Sequence, residues 1–497
     1  MWRKTGILTA LLTVSICAHQ VMAFSFKGIL EAWQTSDLHY AVPGNIAPGN
    51  NELELGGPKN LGEEYRISTP VITYAYASTF LDYFGAQGVK AVDAAFAFMN
   101  AVPAASKMSS DLSEFLTEGN LRINQRAQAL GLVDMKSCMI QMLVEHMGLA
   151  GENHVFDLSY RKSQSGATAC SFKYGVVVRN FDPITWEPSH YVNGRLYTYH
   201  IMELCPTNVA DAVEDSVTSD SSGLFTAVAT PDALSSGGYY LSLTRDDMGG
   251  LRYLYRKNNY NLEALPYGAV ATSSASSSSS PWGIPVFTTS TATVTTNAPV
   301  LRGGVDKVSY VKMNFDSRLG TTFKAVTVSY TVPVLSGSKV INQQVTRTIK
   351  APDILISASD FKVGYAYQDA AATTVTDSSG THVSTGASSS VGGGLVAYRT
   401  VSYSSAVANV GQYNVGSIGG PGIINPQMQI IFNKVGPSYV NDNHYFFTEE
   451  TSHTSYLLGV FDGSTNEPIV FPSGTSIREL EAQALRDPGQ NQNIGGQ

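Results

Sequence analysis

Charge is what this chain has least of. Only 14% of its 497 residues are Asp, Glu, Lys or Arg. No run of Lys and Arg occurs that would neutralise successive phosphates, which argues against a nucleic-acid partner. With 43% hydrophobic residues, the composition excludes an intrinsically disordered acidic or basic tail, a coiled coil and a collagen. Several chemical signatures are missing as well. There is no His-Glu-X-X-His, so no metal pair on one helix face, and no Gly-X-Ser-X-Gly nucleophile elbow. The glycine-rich stretch at 416–422 has no Gly-Lys-Ser/Thr after it and reads as a loop, not a phosphate cradle. No Asn-X-Ser/Thr acceptor occurs anywhere, which favours a bacterial source over a glycosylating secretory pathway.

What is present begins with a leader. Arg3 and Lys4 precede an apolar run at 7–16, and Val21, Met22 and Ala23 offer a signal-peptidase site, so residues 1–23 read as a signal peptide cleaved after Ala23. About ten apolar residues are too few to span a bilayer, which needs roughly twenty. Losing Arg3 and Lys4 moves the formal charge from -8 to -10. No later stretch is apolar enough to be a membrane span, and the expectation is a protein acting outside the cytoplasm: extracellular, periplasmic or at the cell surface. Of the four cysteines, Cys17 leaves with the leader. Cys170 and Cys205 bracket two strand-like runs and are expected to form a disulfide that leaves Cys138 free, the alternative being three buried thiols.

Two parts are expected beyond the leader. Residues 24–266 read as an α+β domain. After a lead-in arm to about residue 66 come a strand at 71–76, helices at 87–100 and 134–147, and strands at 154–160, 172–179 and 196–204. Asp134 is placed to cap the second helix and Gly148 to end it. A third helix starts at Thr244, with Asp247 three residues on as a capping box. No charged residue occurs between Glu263 and Arg302, and 272–280 holds seven serines in nine residues, so 267–300 reads as a linker. Residues 301–475 alternate short Val/Ile/Tyr/Thr runs with Gly, Ser and Asn turns and are expected to be mainly β, an antiparallel sandwich or two small β modules. Residues 369–394 and 410–422 read as Gly-rich loops within it, and 476–497 as a polar tail. On this division, proteolysis at about 267–281 should separate the two parts.

Candidate chemistry is sparse. Cys138, Met142 and His146 share a helix face, where core packing explains them better than a soft metal does. The pairs Asp246/Asp247 and Glu449/Glu450 invite acid/base work, but the first lies in a helix's opening turn, where acids offset the dipole. Asp442 with its neighbours Asn441 and Asn443, and the stretch 462–467, are oxygen-rich loops without a complete calcium-loop pattern. No cofactor and no metal site is expected.

Several phrases occur together: Asn-Leu-Gly-Glu-Glu-Tyr-Arg at 60–66, Phe-Leu-Asp-Tyr-Phe-Gly at 80–85, Arg-Asn-Phe-Asp-Pro at 179–183, Tyr-Val-Asn-Gly at 191–194, Thr-Arg-Asp-Asp-Met-Gly-Gly-Leu-Arg-Tyr-Leu-Tyr at 244–255 and Phe-Asp-Gly-Ser-Thr-Asn at 461–466. With them the chain resembles a family of large secreted bacterial proteins of uncharacterised function, over nearly its whole length after the leader. The N-terminal half also resembles metzincin-type peptidases in its strand at 72–76, its helix through Val92 and Phe96, and its closing helix ending at Tyr255. The zinc helix that such a resemblance implies is best matched by Met-Leu-Val-Glu-His-Met-Gly-Leu at 142–149, which holds one histidine. The sequence therefore points to an exported non-catalytic protein that binds other extracellular or surface macromolecules, with a cryptic secreted hydrolase as the rival.

Overall fold

The computed structural model describes residues 24–26, 52–53, 64–150, 155–163, 171–204, 209–217, 227–229, 234, 236–266, 268–272, 300–316, 322–359, 367–376, 382–391, 397–405, 422–433, 439–441, 453–455 and 457–471. Strand β1, Phe24–Phe26, is the first of these. Strand β2, Val71–Tyr76, consists of β-branched and aromatic residues apart from Ala75, and Ile72, Thr73, Tyr74 and Ala75 are all buried. Burial on both faces marks a central strand of a sheet with parallel neighbours. Those neighbours come from far along the chain. Strand β3, Ser309–Lys312, runs parallel to β2 on one side, and β4, Ile354–Ser359, runs parallel to it on the other. Antiparallel β5, Ala397–Ser405, forms the far edge, paired to β6, Gly422–Asn433, which lies parallel to β4. The order is β3-β2-β4-β6-β5.

The chain is thus mixed α and β, as the sequence indicates, but the division at 267–300 does not separate two cores. One hydrophobic cluster joins Ile72, Phe80, Val92 and Phe96 to Ile354, Ile356, Ile430 and Phe432. The strand Leu132–Asp134 likewise pairs in parallel with Leu457–Val460. Among the described C-terminal strands, β3, β4 and β6 extend a parallel ladder begun by β2. Two eleven-residue strands, Val326–Ser336 and Lys339–Ile349, form a hairpin in a second, antiparallel sheet with Asn261–Glu263, Val300–Arg302 and Ala269–Thr272. The stretch 369–394, expected as a loop, holds most of the hairpin Tyr367–Thr376 with His382–Val391. Its Ala, Ser, Thr and Gly side chains carry little of the apolar alternation by which a strand is recognised.

Helix α1, Ser78–Ala101, follows β2 and packs across the sheet. It starts nine residues before the expected helix, since Gly85 (φ 56°, ψ -156°) interrupts the helical backbone. The turn before Gly85 carries Phe80 and Phe84 onto Phe432 and Phe471, with ring centroids 5.0–6.0 Å apart. Helix α2, Met135–His146, is buried along almost its whole length. Its cap is as expected: the Asp134 carboxylate accepts from Ser137 N at 2.9 Å and from Ser137 Oγ at 2.6 Å. Burial pushes that carboxyl up to about 6, against the lowering effect of its Ser137 bonds. Gly148 (φ 106°) ends the helix where a Cβ would lie 2.1 Å from the Tyr65 carbonyl oxygen.

Candidate functional site

Helix α3, Arg245–Tyr255, is where most of the unusual chemistry gathers. Thr244 and Asp247 close the capping box read from the sequence, with Thr244 Oγ1 donating to Asp247 Oδ2 at 2.6 Å. The same carboxylate accepts from Val228 N and Ala229 N at 3.0–3.1 Å, so Asp247 anchors a neighbouring segment as well as the helix. Burial raises its pKa while these hydrogen bonds oppose the rise. Its role is structural, as the position in the first turn implies.

Arg252 of α3 and Arg256, which caps its C-terminal end, are four residues apart. Arg252 Nη1 donates to the carbonyls of Ser109 and Ser110 at 2.6 and 2.8 Å, and Nη2 to Pro183 O at 2.7 Å, which ties two loops to the helix. The Arg256 guanidinium stacks 3.7 Å from the centre of the Trp186 ring and 4.4 Å from that of Tyr253. Trp186 holds a left-handed backbone (φ 64°), an uncommon conformation for so large a residue. Tyr253 in turn packs on Phe24 and Phe26 of β1, with centroids 6.2 and 5.3 Å away.

The opposite face of α3 lines a pocket of about 310 Å³ including its open mouth, walled by Met99, Met108, Met147, Leu251 and Tyr255. Its polar rim is committed. Asp306 accepts from Ser106 N and Oγ at 2.8 Å and pairs with Lys257 at 3.3 Å, and Lys307 Nζ donates to Asn100 O at 2.7 Å. Although burial works the other way, the Ser106 bonds and Lys257 hold the Asp306 carboxyl below its ordinary range. Such a pocket suits an apolar side chain and offers no group for chemistry.

A polar cluster stands at the carboxyl end of β2, where open parallel sheets commonly place ligands. Tyr74 and Tyr76 donate to Asp93 Oδ1 at 3.0 and 2.7 Å, and Lys312 Nζ to Oδ2 at 2.9 Å. Burial, reinforced by Asp93, raises both phenols, so they act as donors and not as bases. The carboxylate thus holds three donors, an arrangement that fixes α1 to the sheet.

Among the described residues, those singled out by the sequence are not gathered into one site. His146 is the last residue of α2 and is buried with Met142 and Cys138 on that helix. Cys138 is free, and burial pushes its thiol up. Asp246 is buried in the first turn of α3. Asp462 accepts from Ser464 N at 2.8 Å in an exposed turn, and Glu467 pairs with Arg126 at 2.7 Å. Cys170, Cys205, Asp442, Glu449 and Glu450 lie outside the described residues. Among the described residues no group of three or more His, Cys, Asp or Glu is arranged to hold a metal. The pairing of Arg256 with Trp186 escaped the sequence reading because seventy residues separate them. No known protein family, curated protein or solved structure matches this chain.

Proposed function

We propose that this chain is an exported, non-catalytic protein that binds other macromolecules outside the cytoplasm. The observation that carries the non-catalytic part is the end of α2. Two zinc-binding histidines on one helix need a further turn beyond the first, and this helix stops at His146, with Gly148 turning the chain into the strand Leu149–Ala150. One turn back, the neighbour of His146 is Met142, which is no substitute ligand for zinc. The leader-like sequence of residues 1–23 supports export. Among the described residues, no helix is long and apolar enough to cross a membrane.

The test is metal and peptidase analysis of the purified chain beginning at Phe24. No stoichiometric zinc and no cleavage of unfolded protein substrates are expected. One zinc per chain, lost together with peptidase activity in His146→Ala, would replace this reading with the hydrolase.

Export also bears on Cys170 and Cys205, which this reading joins in a disulfide. The hairpin Phe156–Ser163 with Phe172–Val178 shares a small core with the hairpin Arg195–Leu204 with Val209–Ser216. Tyr174 Oη donates to Glu203 Oε2 at 2.5 Å between them. Cys170 precedes the first of these contact residues by four positions, and Cys205 follows the second by two. Closing that loop restricts the unfolded chain by about 3 to 4 kcal/mol. Reduction is therefore expected to lower the melting temperature clearly, with Cys170 and Cys205 recovered in one linked peptide. Recovery of Cys138 in a bridge overturns the pairing.

A further inference from the structure

The guanidinium of Arg256 is held in place without being paired. It sits in the corner formed by the Trp186 and Tyr253 rings, whose centroids are 5.4 Å apart and whose planes meet at 71°. Its Cζ lies over both rings, 3.7 Å from the centre of the first and 4.4 Å from that of the second. Among the described residues, no carboxylate comes within ion-pairing distance of Arg256 and no acceptor receives a hydrogen bond from its side chain. Its Nε is buried with no partner, and so is the indole Nε1 of Trp186. Glu64 is the acid whose charge reaches Arg256, but Glu64 is fully buried, and its carboxylate accepts from Tyr253 Oη at 2.9 Å and Asn259 Nδ2 at 3.4 Å. A half-buried guanidinium has given up hydration, and left unpaired it forgoes the charge-assisted bonds that offset such a loss.

The platform under this cation is fastened in a costly conformation. Trp186 N donates to Asp182 O and Asp182 N to Glu187 O, both at 2.8 Å, while Asp182 Oδ1 accepts from Ile184 N and Thr185 N at 2.8 and 2.6 Å. These bonds keep Trp186 at φ 64°, and strain held so firmly in a bulky residue points to a use for its position. Because the cation lies over the rings and its Nε is enclosed, hydrogen bonding is left to the edge carrying Nη1 and Nη2. That edge matches the two oxygens of a carboxylate. We infer that Arg256, Trp186 and Tyr253 form a recognition site for a single carboxylate, taken by Nη1 and Nη2, such as an acidic side chain or chain terminus of a bound protein supplies. Glu64 decides between anions, since its buried charge offsets part of the field of Arg256 and so opposes a phosphate dianion more than a monoanion. Arginine stacked on tryptophan and tyrosine is also the composition in which binding energy concentrates at interfaces. The site deepens the binding reading by naming the group that a partner presents, and its chemistry can be tested with no partner at hand.

The test is titration of the whole chain with sodium acetate, followed by NMR of the tryptophan indole N–H groups, with sodium chloride holding the ionic strength constant. Trp186→Phe identifies the Trp186 signal. Acetate is expected to shift that signal saturably, with half-saturation at about 10–100 mM, the range of one charge-assisted pair. Arg256→Gln is expected to abolish the saturable shift. Arg256→Lys keeps the charge but loses the planar fork, and it is expected to weaken acetate binding several-fold; it carries the comparison should Arg256→Gln not fold. Inorganic phosphate is expected to bind no tighter than acetate. The inference is overturned if acetate gives no saturable shift, if the shift survives in Arg256→Gln or is unchanged in Arg256→Lys, or if phosphate half-saturates at the lower concentration. Each of these results removes the carboxylate site and leaves binding of macromolecules through another surface untouched, so the two readings fail separately.

Discussion

Replacing Arg66 with methionine is expected to lower stability by about 3–5 kcal/mol, the cost typical of removing one partner from a buried ion pair. Arg66 is 1% exposed, and every donor nitrogen of its guanidinium is directed at an acceptor. Nε donates to Glu263 Oε1 at 2.7 Å, Nη1 to Leu254 O and Asn259 O at 2.6 and 2.9 Å, and Nη2 to Arg302 O at 2.8 Å. The acceptors belong to the end of α3, the segment after it and the short strands Asn261–Glu263 and Val300–Arg302. Methionine removes the charge and breaks the ion pair with Glu263, itself 1% exposed. Urea unfolding measures the loss. Adding Glu263→Leu to Arg66→Met should recover part of it, because the Glu263 carboxylate is then no longer buried opposite a missing guanidinium. Arg126→Ala, which breaks the exposed pair with Glu467, should cost no more than about 1 kcal/mol. Equal losses for Arg66→Met and Arg126→Ala would show that the buried network does not hold the fold.

Cutting the chain within the Ser-rich stretch is expected to leave one folded particle, contrary to what composition suggests. A site for a specific protease inserted between Ser278 and Ser279 should give two fragments that co-elute under native conditions and unfold in one transition. The reason is interleaving: β2 from the first fragment is held between β3 and β4 of the second, and Leu132–Asp134 pairs with Leu457–Val460. Polar bonds cross the same boundary. Asp353 accepts from Thr73 N at 2.9 Å, and Asn100 exchanges bonds of 2.7 and 2.8 Å with the Tyr310 backbone. Separating the fragments would expose Ile72, Phe80, Phe84, Ile354, Ile356 and Phe432, each worth about 1.5–3 kcal/mol when fully buried. Elution as two independent folded pieces would falsify the shared core.

What the sequence by itself determined is local. The caps at Asp134 and at Thr244 with Asp247, the stop at Gly148 and the span of β2 were legible because each depends on residues within one turn or one strand, where spacing carries the physics. Only the tertiary structure decided the rest. Short apolar strands that are buried on both faces look alike in sequence, whether they pair in parallel or antiparallel, so the ladder joining β2 to β3 and β4 left no local trace. A stretch dense in serine lowers the expected burial of that stretch alone and says nothing about the pairing of the segments on either side. The three residues Phe24–Phe26 are too few to register as a strand, and the glycine pair in α3 reads from sequence as a weakness in a helix. Their meaning appears only when the helix, Pro183 and the Phe24 ring meet, because close approach is a property of the assembled structure.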